Sequence, residues 1–565
     1  MDSKRFLLAV ALSVAVIFLV QTFVPGAKGP VPHPRADSVA AATTQTQSAT
    51  ATTPGVRPGN TVSAADSTSH TPNSAPILAE TTVVSAQPDS GVRYAMSSIG
   101  AAPVSVVMNA YENRSKHGGK VDLAAGGKPI IKYQIVTNKQ TPVDLSQVPF
   151  QTTRTGDVVT YQAMLANAQV AIRYTFVPDS YTVHVAGTVQ SPAAGADTYL
   201  LVDLPTTFTA TESDTADDRN ALAYAYYAKR DGARNVSFHS MDPGEKTLAS
   251  GPLNWVAARS KYFVVGLLAP VNGPLFAEAT LVGGNRTSKI ATNATATVVV
   301  PVKNGAFGFD LYTGPQSLKR LQAQGRDFEE VNPYGFAMFH GVLQPIATGV
   351  TRLVLWMHER LALSYGMVLV LLGVLVRLVM WPLNQSSMRT SLKMQAIQPE
   401  LQRVQERYKN DLDKQRTEVM KVYSEHGMSP LSPLLGCLPM LLPMPILFAL
   451  FFVFRSTIEF RGVPFLWIHD LSAHDPFFLL PIIMGISMFL LSWIGMRNMP
   501  PNPQSKMMSY LMPLIFVGFF VKAAAGLNLY YAMQNIAALP QQWLIARERS
   551  KSPAGKPAVQ GRQNK

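Results

Sequence analysis

Residues 361–383 read LALSYGMVLVLLGVLVRLVMWPL. A helix of that length crosses the ~30 Å hydrocarbon core of a bilayer, yet the run contains Arg377. A charge at mid-bilayer costs about 2.5–3.5 kcal/mol on insertion scales, so an intramembrane arginine is a candidate functional residue. The structural alternative is that Arg377, close to Pro382 at the end of the run, snorkels toward an interface. On this segment alone both readings stand.

Four more apolar segments follow, at roughly 431–455, 476–496, 507–523 and 525–546. With 361–383 they predict five spans. The loop 384–430 carries eight Lys/Arg, and the loop 497–508 carries Arg497 and Lys506. The tail 547–565 carries Arg547, Arg549, Lys551, Lys556, Arg562 and Lys565. Alternating from an exported domain puts all three on the cytoplasmic side, as the positive-inside rule requires. The exported loop 456–475 holds Arg461 but also Glu459, Asp470 and Asp475. Lys522, beside the turn joining the last two segments, reads as a snorkelling interface charge.

The first half has a different texture. Lys4 and Arg5 precede an apolar run from Phe6 to Val24 with no clear small-x-small cleavage site. This predicts an uncleaved signal anchor over 1–24, six spans in all, and both termini in the cytoplasm. Residues 25–80, rich in Ala, Thr, Ser and Pro, read as a flexible tether. Residues 81–335 show short alternating runs that predict a large β-sandwich. Val170, Ile172, Tyr174 and Phe176 alternate, a turn follows at Pro178-Asp179-Ser180, and Tyr181, Val183 and Val185 return as a hairpin. The domain closes on an amphipathic helix carrying Leu318, Leu321 and Phe328. Residues 336–360 then predict a helix lying in the membrane interface, with Leu353, Trp356 and Met357 on its apolar face.

Composition and motifs exclude several functions. The net charge of +14 is concentrated in loops and tails, which fits topology and anionic-lipid contact better than recognition of a nucleic-acid sequence. The single cysteine, Cys437, excludes an intrachain disulfide and a multi-cysteine metal site. HExxH, G-x-S-x-G and the P-loop pattern are absent from the sequence, so no catalytic residue, metal or cofactor is expected. His469 and Asp470 resemble a catalytic pair but lack a nucleophile in a supporting motif, and read as structural. The central parts of the expected spans hold no Asp or Glu, which argues against an ion-coupled carrier.

The polar residues that the spans do hold are specific. Asn528, Tyr531 and Asn535, with Gln534 at the edge, share one helical face. They serve either as interhelical hydrogen-bond glue or as the wall of a wet cavity shared with Arg377. Pro433, Pro439, Pro443 and Pro445 crowd the second span and predict an irregular half-helix beside such a cavity. Between the first two spans, Ile397, Leu401, Val404 and Tyr408 recur at helical spacing, as do Val419, Val422 and Tyr423, with Asn410, Asp411 and Asp413 between. This predicts an antiparallel helical hairpin in the cytoplasm, either a solvated connector or a docking element.

Several strings carry a family resemblance. They are Val376-Arg377 with Met380-Trp381-Pro382-Leu383, and Gly436-Cys437-Leu438-Pro439 with Met444-Pro445-Ile446. Trp467-Ile468-His469-Asp470-Leu471-Ser472 with Asp475-Pro476, and Gly526-Leu527 with Leu529-Tyr530-Tyr531 and Asn535, complete the set. Their order and the anchor–tether–β-domain layout resemble the YidC/Oxa/Alb family of membrane protein insertases, in its Gram-negative form.

The resemblance implies a multi-domain membrane protein of the bacterial inner membrane: an α-helical polytopic core of five spans plus an N-terminal anchor, with a large periplasmic β-supersandwich domain. It implies a positively charged groove open to the cytoplasm and lipid, built from Arg377, Gly373, Asn528, Tyr531, Gln534 and Asn535. It also implies a client-contact span bearing Cys437, Pro439, Met440 and Pro443. The implied partners are nascent membrane proteins, the Sec translocon and its accessory subunits, the ribosome through the hairpin and basic tail, and anionic lipids. Two departures stand out: Pro443 where a polar Gln is common, and Ala523-Ala524-Ala525 where Pro-Ser is common. The competing classes are a solute transporter or channel, with a cavity reaching both sides, and an envelope enzyme with its chemistry in the β domain.

Overall fold

The computed structural model describes most of residues 80–551; the longer stretches outside it within that range are 86–90, 191–197, 335–339, 386–396, 427–443 and 497–502. The expected anchor, nearly all of the tether and the end of the tail lie outside the described residues.

The exported half is built on two sheets. Thr81–Ser85, Val92–Ser97, Ala102–Glu112 and Lys120–Asp122 pair antiparallel in that order. The second sheet has 14 strands, more than an open twisted sheet usually carries without folding over. Lys246–Arg259 is where it turns. Its first residues pair with Phe276–Gly283 and its last with Phe263–Leu268 and Ala223–Ala228, with the register shifting between Ser250 and Leu253. One apolar core runs through both sheets, as the sandwich reading expects. The predicted hairpin forms as Ala168–Phe176 against Thr182–Gln190, with Val183 opposite Phe176 and Val185 opposite Tyr174. Val170, Ile172, Tyr174 and Phe176 all face inward and are buried, because alternate residues share one side of a strand.

The amphipathic helix expected at the end of this domain is two short pieces. Helix α2 (Leu318–Ala323), which follows the earlier six-residue α1 (Thr215–Asn220), is separated from a 3₁₀ turn at Phe328–Val331. Gly325, Arg326 and Asp327 all have positive φ and end the helix. The apolar positions are still buried: Phe328 lies edge-on to Trp255 and Tyr312, and Arg326 pairs with Asp310 at 2.6 Å.

The helical half begins with α3 (His340–Leu361) and α4 (Tyr365–Val379), which meet at 119°. Ala362 takes a positive φ at the corner, and Ser364 caps α4 by accepting from the Met367 amide. His358 bonds the Leu363 carbonyl oxygen at 2.6 Å and stacks on Tyr365. Of the apolar face expected on 336–360, Met357 is buried and Trp356 exposed. In the hairpin expected at 384–430, Ile397 and Leu401 pack against Val422 and Tyr423 of α5 (Leu412–Glu425), whose N-cap is Asp411.

The remaining helices are α6 (Met444–Ser456), α7 (Leu479–Met496), α8 (Pro503–Phe520) and α9 (Ala525–Lys551). The expectation of five full-length spans is met only in part. Among the described residues, α7 alone is long and apolar enough to cross a bilayer, or two crossings if the bent α3–α4 pair counts as one; Ile446–Ser456 and Ser509–Phe520 are shorter apolar helices. Residues 431–443 of the expected second span lie outside the described residues. α9 has the length, but Asn528, Gln534, Asn535, Gln541 and Gln542 dilute its apolarity. α7 is not the core helix of a soluble protein, since only 28% of its apolar window is buried. Ile482, Ile486, Leu490 and Trp493 form an exposed stripe along it.

Charged contacts join the two halves. Arg461, in the exported loop after α6, meets Glu212 at 2.7 Å with side-chain exposures of 3% and 8%. Its guanidinium also donates to the carbonyls of Glu112 and Thr211. Asp217 takes Lys261 at 2.9 Å and also pairs with Arg455. Arg114 reaches Asp470 at 3.2 Å, while Asp470 accepts from the Ser472 amide and hydroxyl, so its contacts are structural. Asp475 caps α7 by accepting from the Leu480 amide. Burial alone raises the Asp217 carboxyl, but Arg455 and Lys261 outweigh it and hold the pKa down at about 2.

Two outcomes follow from this interface. Glu212→Ala strands Arg461 without its carboxylate, an effect of about 3–5 kcal/mol, expected as a lower melting temperature of the detergent-solubilised full chain. Because the folded-state pKa of Asp217 is depressed, its contribution is present above its ordinary value of 3.8 and lost as pH falls toward 2. Limited proteolysis across that window should show the β domain loosening from the helices, and Asp217→Asn should remove that pH dependence.

Candidate functional site

α4 and α9 run side by side in the same direction. A side chain on Gly526 would meet Leu369, one on Gly373 would meet the Tyr530 carbonyl oxygen at 3.0 Å and the Gln534 amide at 3.2 Å, and the Gln541 side chain donates to the Trp381 carbonyl oxygen. The contacts advance together toward the C-terminal ends, so Arg377 lies at the level of residues 535–538. Gly373 is therefore a packing contact that lets two backbones approach.

Arg377 is in the last turn of α4, where the helix dipole favours a cation. The residue is half-buried, and its Nε is buried with no hydrogen-bond partner among the described residues. Nor does any carboxylate among the described residues pair with it. On α9, Tyr530 Oη, Tyr531 Oη, Asn528 Oδ1 and Gln541 Oε1 are likewise buried without partners among the described residues.

The polar stripe splits on inspection. Asn528 is wholly buried, and its amide donates to the Phe520 carbonyl oxygen at 3.1 Å. It closes the end of α8 across the 521–524 turn. The same turn is fixed from the exported loop, where the carbonyls of Ala473 and Leu471 accept the Ala525 and Gly526 amides. The Ala523-Ala524-Ala525 departure thus still gives a well-anchored turn. Asn535 donates to Ser487 Oγ of α7 at 3.2 Å, an interhelical bond. Gln534 is partly buried beside Gly373. Tyr531 packs on Phe520 and Tyr530. Cys437, Pro439, Met440 and Pro443 lie outside the described residues, so the client-contact span and the Pro443 departure do too.

Two residues were missed. Gln541 is 1% exposed, and it extends the stripe by one heptad from Gln534, a spacing visible in the sequence. Ser487 is equally buried, but a lone serine in an apolar helix gives no signal.

The arrangement defines a class: a helical core in which the half-buried Arg377 has no carboxylate partner among the described residues, clamped to a large β domain. Residues 356–552 match the family described as 60Kd inner membrane protein, and residues 89–348 match the YidC periplasmic domain. The membrane protein insertase YidC of Francisella tularensis subsp. novicida (strain U112) is 30% identical over 440 residues, covering 75% of this chain and 76% of the relative. That of Chlorobium phaeovibrioides (strain DSM 265 / 1930) is 33% identical over 405 residues, 67% of each chain. That of Anaeromyxobacter dehalogenans (strain 2CP-1 / ATCC BAA-258) is 34% identical over 338 residues, 58% of this chain and 57% of the relative. Against the Anaeromyxobacter relatives the chain thus spans little more than half their length. The chain belongs to the YidC family, a family of the inner membrane with a periplasmic domain.

The packing role of Gly373 has a direct check. Gly373→Leu forces α4 from α9 and should cost about 1–3 kcal/mol, seen as an earlier thermal transition in detergent. Gly373→Ala, which needs shifts of only a few tenths of an ångström, should fall between.

Proposed function

We propose that the protein inserts nascent membrane proteins into the bacterial inner membrane, using the polar seam between α4 and α9 as a positively charged, hydrated path. The carrying observation is Arg377, whose Nε is buried without a partner among the described residues on a helix packed along α9, which carries further orphaned polar atoms at Tyr530, Tyr531 and Gln541. Hydrocarbon does not satisfy such groups, so they require water or a polar client. Arg377 attracts an acidic or polar client tail, and water along the seam shortens the apolar distance the tail must cross. The client helix then leaves past α8 and the span beginning at Leu431 into lipid, driven by apolar burial at roughly 25 cal/mol per Å². With the cytoplasm negative, moving one tail carboxylate outward gains about 2.3 kcal/mol per 100 mV. The sequence carries no P-loop for nucleotide, and the proposed role is not enzymatic.

The finer assignments rest on the same reading. Six spans with both termini in the cytoplasm follow from the loop charges. The domain limits remain those of the sequence: 1–24, 25–80, 81–335, 336–360, 361–546 and 547–565. The cytoplasmic hairpin and basic tail serve as the docking elements for the ribosome, anionic lipids bind the basic loops, and the Sec translocon cooperates on larger clients.

Full chain reconstituted into liposomes should insert a single-span client with an acidic tail without ATP, read as protection of the tail from protease. Arg377→Ala should lower that insertion about tenfold, the equivalent of ~1.4 kcal/mol, while Arg377→Lys retains most of it. Unchanged insertion in Arg377→Ala refutes the charged-path mechanism, and solute flux without client insertion refutes the insertase reading in favour of a transporter.

A further inference from the structure

A second polar site lies on the exported side, away from Arg377. A cavity of about 370 Å³ opens between the β domain and the helices, within the ~300–1,000 Å³ range of ligand pockets. Its walls have two characters. Phe451 of α6, Phe519 of α8 and Leu527 of α9 supply apolar surface near the exported ends of those helices, while Asp214, Asp217, Lys261, Arg455 and Lys522 are among the charged lining.

Most of the charges are already committed. Asp217 is held by Lys261 and Arg455, Glu212 by Arg461, and Asp470 by Arg114. Two groups remain. Asp214 uses Oδ1 to cap α1, accepting from the Ala216 and Asp217 amides, and its Oδ2 accepts nothing among the described residues. Lys522 is exposed at the turn between α8 and α9, with no carboxylate in ion-pair range among the described residues. Among the described residues the cavity thus offers the Lys522 ammonium and Asp214 Oδ2 against an apolar wall, with His474, stacked on Phe478, also in its lining.

We propose that this cavity binds the phosphoethanolamine head of a phospholipid in the exported leaflet. The phosphate meets the Lys522 ammonium, the primary ammonium of the lipid donates to Asp214 Oδ2, and the acyl chains leave along Phe451, Phe519 and Leu527. The 521–524 turn joins two helices read as spans, which places Lys522 at the depth of lipid headgroups. One charge of each sign selects a zwitterion over an anionic lipid. The proposal rests on the membrane reading of α6, α8 and α9, but not on client insertion.

The test is native mass spectrometry of the detergent-purified full chain, titrated with phosphatidylethanolamine, phosphatidylglycerol or water-soluble glycerophosphoethanolamine. Phosphatidylethanolamine should be retained above phosphatidylglycerol. Lys522→Gln and Asp214→Asn should each weaken its retention about fivefold, the worth of one charge-assisted hydrogen bond. Asparagine still caps α1, so that variant removes charge without removing the cap. Equal retention of the two lipids, or unchanged retention in both variants, overturns the proposal. Competition by glycerophosphoethanolamine as strong as by the lipid overturns the lipid source. The readout involves no client, so it stands if Arg377→Ala leaves insertion intact. Release of the chain from membranes by alkaline carbonate would instead overturn the shared membrane reading.

Discussion

Hydrocarbon offers no hydrogen bonds, and that constraint organises the helical half of the protein. Each polar side chain on α4 and α9 must find a protein partner, reach water, or receive one from a passing chain. Asn535 takes the first course through Ser487, and so does the Asn528 amide nitrogen through the Phe520 carbonyl oxygen, while Asn528 Oδ1 has no partner among the described residues. Arg377 and the two tyrosine hydroxyls do not, among the described residues. A bundle selected for stability alone would hold apolar residues there. The contrast between satisfied and unsatisfied positions on one helix separates the scaffold from the working surface.

A different solution operates where the helices meet the β domain. Water is available nearby, yet the contact is made by charges, one of them nearly dry. Arg461 is held by a carboxylate, two backbone carbonyls and the faces of Tyr262 and Phe263. Such a pair adds little stability over an apolar replacement but penalises any misplacement severely. It therefore fixes the position of the β domain more than it adds to its adhesion.

Much of this was legible in the sequence because it depends on periodicity. The Val170–Phe176 alternation, the Ile397–Leu401 and Val422–Tyr423 contact and the break between 336–360 and 361–383 all appear where spacing placed them. What escaped was set by pairing across long separations. No local pattern announces that Arg461 will meet Glu212, that Asn528 will close the helix before its own, or that Gly373 will be a contact point. The helix at 316–330 was misread because three consecutive residues with positive φ, only one of them glycine, interrupt an otherwise amphipathic run. The five uniform spans were read from hydropathy averages, which do not locate helix ends.

The length of α9 has a consequence for the charges beyond it. Twenty-seven residues of helix extend about 40 Å, against a hydrocarbon thickness of ~30 Å. On the proposed topology, with α9 upright from the 521–524 turn, its last turns reach the far side of the bilayer and bear Arg547, Arg549 and Lys551 in sequence. With its headgroups the bilayer is ~40–45 Å thick, so the excess of ~10 Å is spent within the far headgroup layer. On that topology the basic tail therefore begins at the charged lipid surface itself, where the field on a cation is strongest, and anionic headgroups are the first polyanion its charges meet.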